Sequence, residues 1–191
     1  LEEVKSAVYL LKKNGLTKEM ISILHCNTEY PTQFEDVNLN AMNTIRKELG
    51  VNIGYSDHTL GIEVPIAAVA MGARIIEKHF TLDINGSGPD HKASLVPKKL
   101  KEMVKGIRNI EKALGSFEKR PTLSEKKNIK IVRKSIHLVN DLSKGCQITQ
   151  KDLIMLRPGD GINPMMLDSI IGRRLTKNLV KGHKIDWKDI L

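Results

Sequence analysis

The feature that most constrains the fold is an alternation of two hydrophobic periods over residues 1–116. Segments such as LEEVKSAVYLLKKNG and PKKLKEMVKGIRNIEKALG repeat apolar residues at helical spacing, whereas MISILHCN, VNIGYS and ARIIEKHF are apolar runs of strand length. The order α-β-α-β-α-β-loop-α predicts a parallel sheet of βα units. Because the strand runs are apolar on both faces, the sheet is expected to belong to a barrel or to a doubly wound α/β fold.

The rest of the chain follows a different pattern. Residues 117–128 are polar and interrupted by Pro121, which predicts a linker. Residues 129–191 contain short apolar runs, frequent glycines and an internal repeat, in which LSKGCQITQKDL is followed by LVKGHKIDWKDI at an offset of 37 residues. Two copies are too few for a solenoid, so we expect a small pseudo-symmetric module of short strands and single helical turns.

Composition excludes several classes of protein. The net charge of +9 is concentrated in the last third of the chain, without interleaved aromatic residues or a nucleic-acid motif, so we expect no nucleic-acid partner. No apolar run reaches the length of a membrane helix and no signal peptide opens the chain, which favours a cytoplasmic protein without a membrane partner. Two distant cysteines indicate neither disulfides nor a zinc ribbon. A helical pattern that begins at Leu1 suggests a piece of something longer.

Two histidines follow two of the predicted strands. His58 comes directly after VNIGYS, and His79 lies at the end of ARIIEKHF. The carboxyl ends of neighbouring parallel strands meet at one edge, where α/β folds bind their ligands. Strand alternation puts Glu77 on the same face as His79. Two imidazoles and a carboxylate suit a divalent metal with open coordination positions, although a single histidine is more often structural.

Further polar residues are expected at the same edge. Thr28 and Tyr30 follow the first strand, and Asp90 lies in the loop NGSGPDHKAS, where a hydrogen-bonded loop and a substrate contact are both open interpretations. In the last third, Arg157 lies on the loop LRPGDGINP. It is either an ordinary surface arginine or a contact to an anion or an amide.

These segments resemble a known family. LHCNTEYPTQFEDVNLNAM, GYSDHTLGIEVPIAAVAMGARIIEKHFTLD and GPDHKASL are similar to the carboxyl half of the barrel of the sialic acid synthases, which include the N-acetylneuraminate, legionaminate and pseudaminate synthases. The motifs DLSKG, RPGDGI and IGR resemble their C-terminal antifreeze-like (SAF) domain. The resemblance implies an α/β fold, namely part of a (β/α)8 TIM barrel over residues 1–116, a linker over 117–128 and a SAF β-clip domain over 129–191.

The resemblance also implies an activity and a site. The family condenses phosphoenolpyruvate with an N-acetylated mannosamine-type sugar and releases phosphate. His58 and His79 match its Mn²⁺ ligands, with Mg²⁺ and Co²⁺ as alternatives. Glu77 and Asp90 match catalytic positions facing the sugar and the reacting carbons. Three residues match substrate-binding positions, those of Tyr30, Thr28 and Arg157, and the family arrangement implies a domain-swapped homodimer.

One departure from the family pattern limits these expectations. The first barrel strands, with their phosphate-binding lysines and a catalytic glutamate, have no counterpart here. The chain is therefore expected to be a fragment or a truncated gene product, and to be inactive alone. Two alternatives remain open: a non-catalytic carbohydrate-binding or partner-binding module, and a metal-dependent aldolase or hydrolase that lacks an evident nucleophile. The sequence does not identify the sugar.

Overall fold

The computed structural model describes residues 1–191 and divides into two compact units, an N-terminal unit, Leu1–Phe117, and a C-terminal unit, Glu118–Leu191. The N-terminal unit alternates helices and strands, as its hydrophobic periods predict. Its elements are α1 (Glu2–Lys13), β1 (Ser22–Cys26), α2 (Asn40–Leu49), β2 (Asn52–Asp57), α3 (Glu63–Ala70), β3 (Ile75–Lys78) and α4 (Pro97–Leu114). The C-terminal unit contains α5 (Leu123–Val132), β4 (Ser135–Leu138), β5 (Leu153–Leu156) and several single 3-10 turns.

The three strands of the N-terminal unit form a parallel sheet in the order β1-β2-β3. The predicted α/β class and parallel pairing are therefore confirmed. The strands approach closely at Gly54, where an added Cβ would lie 2.7 Å from the carbonyl oxygen of Ile75. The glycine thus keeps β2 and β3 in hydrogen-bonding register.

The two faces of this sheet differ in their surroundings. One face packs against the helices, where Tyr55 and Ile53 of β2 lie in a core with Met42 of α2 and Ala68 of α3. The opposite face has no covering layer within the unit, and Ile75 on it is 41% exposed. The alternation of the strands thus separates a buried, helix-facing side from an accessible side.

The helix after β1 begins later than its sequence predicts. The acidic first turn of EDVNLNAMNTIRKELG predicts a helix from Glu35, whereas the structure has a 3-10 turn at Phe34–Asp36 and begins α2 at Asn40. Asn38 between them has a φ of 45°, a left-handed conformation that interrupts helical hydrogen bonding. The helix ends at Leu49, and Gly50 after it caps the helix in a left-handed conformation.

The internal repeat produces the same hydrogen bonds twice in the C-terminal unit. Gly145 N donates to Leu175 O and Gly182 N donates to Leu138 O, both at 2.8 Å. The two donors are 37 residues apart in sequence, and so are the two acceptors. Leu142 and Leu179 exchange backbone hydrogen bonds of 2.8 and 2.9 Å across the pseudo-symmetry axis. The two copies therefore fold around each other, as a pair of equivalent half-modules.

A helix occupies part of the predicted linker. Thr122 caps α5 through a capping box with Glu125, so the polar segment has its own helix start signal. The carboxyl end of α5 packs on the loop that follows β5, because Gly159 N donates to Lys130 O at 2.6 Å and Arg157 Nε donates to Val132 O at 2.9 Å. A Cβ on Gly159 would lie 2.7 Å from the backbone carbon of Arg133, which leaves room only for glycine.

Membrane insertion is not indicated by the helices of this structure. None of them combines the length and the apolar composition that crossing a bilayer requires.

Candidate metal and substrate site

The two histidines meet at the carboxyl edge of the parallel sheet. His58 follows β2 and His79 follows β3, and their ring centroids are 5.2 Å apart. They border a cavity of about 310 Å³ at the accessible side of the strand ends. Its lining residues are Ser56, His58, Glu77, Lys78 and His79. The parallel register therefore brings together two imidazoles that are 21 residues apart in sequence.

The orientation of His58 is fixed by the backbone. Its Nδ1 lies 2.5 Å from the carbonyl oxygen of Asn27, and because a carbonyl only accepts, Nδ1 carries the proton. Cys26 Sγ lies 3.7 Å from the same nitrogen. The lone pair of the neutral ring is then on Nε2, the tautomer that a metal-binding histidine needs.

Tyr30 and Asp90 complete one side of the site. The Tyr30 ring lies over His58 with centroids 4.0 Å apart and meets His79 edge-on at 5.3 Å. Asp90 Oδ2 is 3.9 Å from His79 Nδ1. Residues from three separate segments therefore surround the two imidazoles, and four of the residues singled out from the sequence lie in contact.

Glu77 lies on the same strand face as His79, as alternation predicts, but it has a partner that the sequence reasoning missed. Ser56 Oγ donates a 2.6 Å hydrogen bond to Glu77 Oε1, and Ser56 is only 5% exposed. Ser56 precedes His58 by two positions, so strand alternation alone would have placed it on the site face. The hydrogen bond restrains the Glu77 carboxylate beside the cavity.

The residues that directly precede the two histidines, Asp57 and Lys78, form a buried ion pair that the sequence reasoning also missed. Lys78 Nζ is 2.6 Å from Asp57 Oδ2, and both side chains are almost inaccessible to water. Asp57 Oδ1 accepts from the backbone N–H and the hydroxyl of Thr59, at 3.0 and 2.8 Å, and Lys78 also donates to the Thr59 carbonyl. A lysine inside an apolar strand was the available signal, since a buried ammonium requires a carboxylate at the same register.

Tyr55, which precedes Asp57 by two positions in β2, cannot serve as a base. Burial raises the pKa of Tyr55 well above its usual value, and the nearby Asp57 carboxylate adds to the shift. Its ring is fully buried on the helix-facing side of the sheet. Tyr55 therefore keeps its phenolic proton and contributes to the core between the sheet and the helices.

The two remaining candidates, Thr28 and Arg157, lie apart from the imidazoles, and so does His25, the histidine of β1. Thr28 is exposed in the loop after β1 and has no hydrogen bond from its side chain. His25 points to the helix-facing side, where its Nε2 donates to Val37 O at 2.9 Å and its ring packs on Tyr55. Arg157 belongs to the C-terminal unit, and its Nε bonds to Val132 O. That bond occupies one donor and leaves the terminal NH₂ groups of the guanidinium available.

The donor set fits a divalent cation bound by two protein ligands. Both imidazoles border one cavity, and the hydrogen bond to Asn27 holds His58 in the ligating tautomer. No cluster of three or more histidine, cysteine or carboxylate side chains could enclose a metal ion in this chain. A cation held here would keep open positions for substrate oxygens or water.

A larger cavity, of about 440 Å³, lies in the C-terminal unit against α5. It is lined by side chains of α5, by Lys119 and Arg120 before the helix and by Arg133 directly after it. Its lining contains no histidine, so it does not combine imidazole and carboxylate groups as the cavity at the sheet edge does. The smaller cavity therefore remains the candidate site, because its chemistry and not its volume distinguishes it.

Two profiles of known protein families match separate parts of the chain. A family profile described as "NeuB family" matches residues 1–119, and a "SAF domain" profile matches residues 133–191. The first match includes every residue of the sheet-edge site, and the second includes Arg157.

Individual relatives are synthases of acidic sugars. The chain is 48% identical over 193 aligned residues to N,N'-diacetyllegionaminic acid synthase of Legionella pneumophila, covering 100% of this chain and 54% of the relative. It is also 48% identical to the enzyme of the same name from Campylobacter jejuni, covering 93% of this chain and 53% of the relative. The chain thus spans about half the length of the curated relatives it matches.

A solved structure shows the same relationship. The crystal structure of N-acetylneuraminic acid synthetase from Leptospira borgpetersenii, in complex with citrate, matches with a TM-score of 0.59 and 41% identity. The match covers 67% of this chain and 44% of that structure.

Proposed function

Because the chain belongs to the NeuB family over residues 1–119 and carries a SAF domain over residues 133–191, we propose that it forms the metal- and sugar-facing part of a nonulosonic acid synthase. Its parallel sheet would be the carboxyl half of a (β/α)8 barrel. The observation that carries the proposal is the convergence of His58, His79, Tyr30 and Asp90 at one strand edge. The same edge carries the ligand sites of parallel α/β enzymes in general.

The proposed reaction joins two substrates. Carbon 3 of phosphoenolpyruvate bonds to the aldehyde carbon of the open-chain sugar, whose oxygen gains a proton. Water adds to carbon 2, and the bond from carbon 2 to the phosphate oxygen breaks, so that phosphate leaves and a 2-keto acid remains. Negative charge develops on the aldehyde oxygen as the carbon–carbon bond forms, which calls for a fixed positive charge at that point.

His58 and His79 are the residues that would hold a divalent cation, with Mn²⁺ preferred over Mg²⁺ or Co²⁺. When bound, such a cation supplies the positive charge that stabilises the developing oxyanion. The Asn27 carbonyl keeps the proton of His58 on Nδ1, and the Tyr30 ring lies over His58 and meets His79 edge-on. These contacts fix the two rings before substrate arrives.

Glu77 and Asp90 are proposed to handle protons and hydroxyl groups. Ser56 restrains the Glu77 carboxylate at the cavity, so that it can accept a proton from the water that adds to carbon 2. Asp90, beside His79, can accept hydrogen bonds from sugar hydroxyls. Tyr30 and Thr28 would then contact the sugar and the phosphate of phosphoenolpyruvate, respectively.

The sugar is proposed to carry two acetamido groups. Identity is 48% to the two N,N'-diacetyllegionaminic acid synthases, whose product carries two N-acetyl groups, compared with 36% to human N-acetylneuraminate-9-phosphate synthase, whose product carries one. Arg157 would orient an acetamido oxygen through its free NH₂ groups, reaching the sheet-edge site of a partner in a domain-swapped homodimer.

A chimera tests the proposal directly. The N-terminal half of the Legionella pneumophila relative, fused before this chain, should release phosphate from phosphoenolpyruvate in the presence of Mn²⁺ and the diacetamido sugar. His79→Gln in the chimera should abolish most turnover, whereas His25→Gln, a matched change on the helix-facing side, should not. Equal activity in both variants would contradict the assignment. The 191-residue chain alone should be inactive, and product formation by it would contradict its role as a part.

Subunit mixing tests the swapped arrangement. In a heterodimer of an Arg157→Ala chimera and a His79→Ala chimera, one site carries both changes and the other carries neither, if Arg157 acts in trans. Activity should then return to up to about half per heterodimer. If Arg157 acts in cis, every site keeps one change and mixing restores nothing.

A further inference from the structure

We propose that His91 is the positioning residue that fixes the loop from Leu82 to Asp90, so that Asp90 faces His79. The relevance of this loop to catalysis rests on the proposed role of Asp90. The ordering of the loop by His91 follows from the contacts of His91 alone.

The base of this loop is closed by backbone hydrogen bonds. Leu95 N donates to His79 O at 2.8 Å, and Thr81 N donates to Leu95 O at 2.9 Å. The chain therefore leaves β3 at His79 and returns beside it at Leu95. The residues between Thr81 and Leu95 form a loop, and its outer part must be held in place by other contacts.

His91 makes such a contact with the base. Its Nδ1 lies 2.7 Å from Thr81 Oγ1, and Thr81 is only 6% exposed. The Thr81 hydroxyl has one proton and donates it to Asp83 O at 2.9 Å, so His91 Nδ1 is the donor of the shorter bond.

The His91 ring also supports the loop backbone. A Cβ added to Gly86 would lie 2.8 Å from His91 Cε1, and one added to Gly88 would lie 3.2 Å from Cδ2. Gly88 has a φ of 145°, which disfavours other residues in any case, whereas Gly86 has no such backbone requirement. The ring therefore lies close beneath the backbone of the tip, and the glycine at position 86 leaves space for it.

Asp90 is joined to this anchor by the next turn. Its carbonyl oxygen accepts from Ala93 N at 3.1 Å and from Ser94 Oγ at 2.7 Å, at the start of the 3-10 turn His91–Ala93. Fixing His91 against Thr81 thus fixes the backbone of Asp90. Its carboxylate is thereby held 3.9 Å from His79 Nδ1.

Amide hydrogen exchange in the full 191-residue chain tests the inference, with three variants. His91→Leu removes the donor at similar size and should speed exchange of the amides between Leu82 and Asp90 by about tenfold. His91→Asn places an amide nitrogen where Nδ1 lies and should restore most of the protection. Gly86→Ala should speed exchange as His91→Leu does, because the added methyl group displaces the ring.

Amides of β2 and of the C-terminal unit serve as the reference for global stability and should not change. Unchanged loop exchange in His91→Leu would overturn the inference. So would an Asn variant as unprotected as the Leu variant, because the hydrogen bond would then not be the cause.

The chimera separates this inference from the proposed function. His91→Leu should raise the KM for the sugar more than the KM for phosphoenolpyruvate, and His91→Asn should reverse the change. A loop that opens in His91→Leu with unchanged kinetics would support the positioning role of His91 and contradict the proposed role of Asp90.

Discussion

The C-terminal unit closes its core with its own two repeats, whereas the N-terminal sheet leaves one face open within its unit. Ile148 and Ile185, at equivalent positions of the two repeats, are fully buried. In the N-terminal unit Ile75 is 41% exposed, and Phe80 and Leu82 after β3 are 50% and 80% exposed. Both units bury apolar residues, but only one of them encloses its strands.

The difference separates stability from chemistry. The repeat of the C-terminal unit supplies each half with backbone hydrogen bonds and apolar contacts from the other half. The N-terminal unit keeps polar groups at its open edge, and it buries a complete ion pair beneath them. We therefore expect the stability of the C-terminal unit to depend mainly on the packing of its two repeats, with a smaller contribution from the buried Asp189, and that of the N-terminal unit to depend strongly on its buried ion pair.

The largest effect is expected from breaking that ion pair. Lys78→Met leaves the Asp57 carboxylate buried without its partner and should cost about 3–5 kcal/mol of unfolding free energy in the N-terminal unit. The double variant Asp57→Leu/Lys78→Met removes both charges and should cost less than the single variant. The unfolding free energies of both variants can be measured by urea unfolding monitored through hydrogen exchange of the β2 amides.

The control for this prediction is an exposed pair on α4. Lys99 and Glu102 lie 2.9 Å apart with half-exposed side chains, and Lys99→Met should change the unfolding free energy far less than Lys78→Met does, because water screens an exposed pair. If Lys78→Met is as mild as Lys99→Met, the buried pair does not stabilise the unit.

The pseudo-symmetry of the C-terminal unit predicts a matched pair of core effects. Ile148→Ala and Ile185→Ala each leave a cavity in the same shared core and should each cost about 2–5 kcal/mol. Fluorescence of Trp187, the single tryptophan, reports unfolding of this unit. Val180→Ala, at a 65% exposed position, is the control and should change stability by less than about 0.5 kcal/mol. Strongly unequal costs for the two isoleucines would contradict their equivalence.

Acid should weaken the C-terminal unit through Asp189. Burial alone would raise its pKa, but contacts from Lys177, His183 and the Asp186 backbone N–H outweigh it and lower the pKa from 3.8 to about 2. A lowered folded-state pKa contributes stability that is complete above about pH 4 and is lost as pH falls toward 2. Because Lys177 is half exposed, we expect a loss of about 1–2 kcal/mol over this window.

Asp189→Asn should remove this pH dependence, measured as the urea midpoint of Trp187 fluorescence between pH 5 and pH 2. Asp152→Asn, at the equivalent position of the first repeat, tests the asymmetry. Asp152 accepts from Thr149 but has no lysine or histidine partner. An acid response that disappears in Asp152→Asn and persists in Asp189→Asn would reverse the assignment.

The smallest effect concerns the helix at the start of the C-terminal unit. Thr122→Ala removes the side chain that accepts from Glu125 N at 3.2 Å and should cost about 1 kcal/mol, confined to α5. Hydrogen exchange of the first α5 amides measures it. Thr122→Ser keeps the acceptor and should resemble the parent chain, and identical exchange in all three chains would show that the capping box contributes nothing.

Much of the fold could be predicted because the signals are local. Apolar spacing gave the three strands and the helices around them, and the parallel pairing followed from their order. The misjudged segments have local conflicts: the left-handed Asn38 interrupts an otherwise helical pattern. Similarly, the segment after Pro121 is polar enough to resemble a linker, although Thr122 and Glu125 form a helix start. The same polar side chains that suggest a linker also provide the capping hydrogen bonds that start the helix.

The sequence by itself determined which residues end the strands, and therefore that His58, His79 and Glu77 share one edge. Only the tertiary structure decided their partners: Ser56 for Glu77, Asn27 for His58, and Asp57 for Lys78. The physical reason is that strand identity depends on the period of neighbouring residues, whereas a cross-strand contact depends on register. A shift of one residue would exchange the two faces of a strand, and periodicity alone does not fix that register.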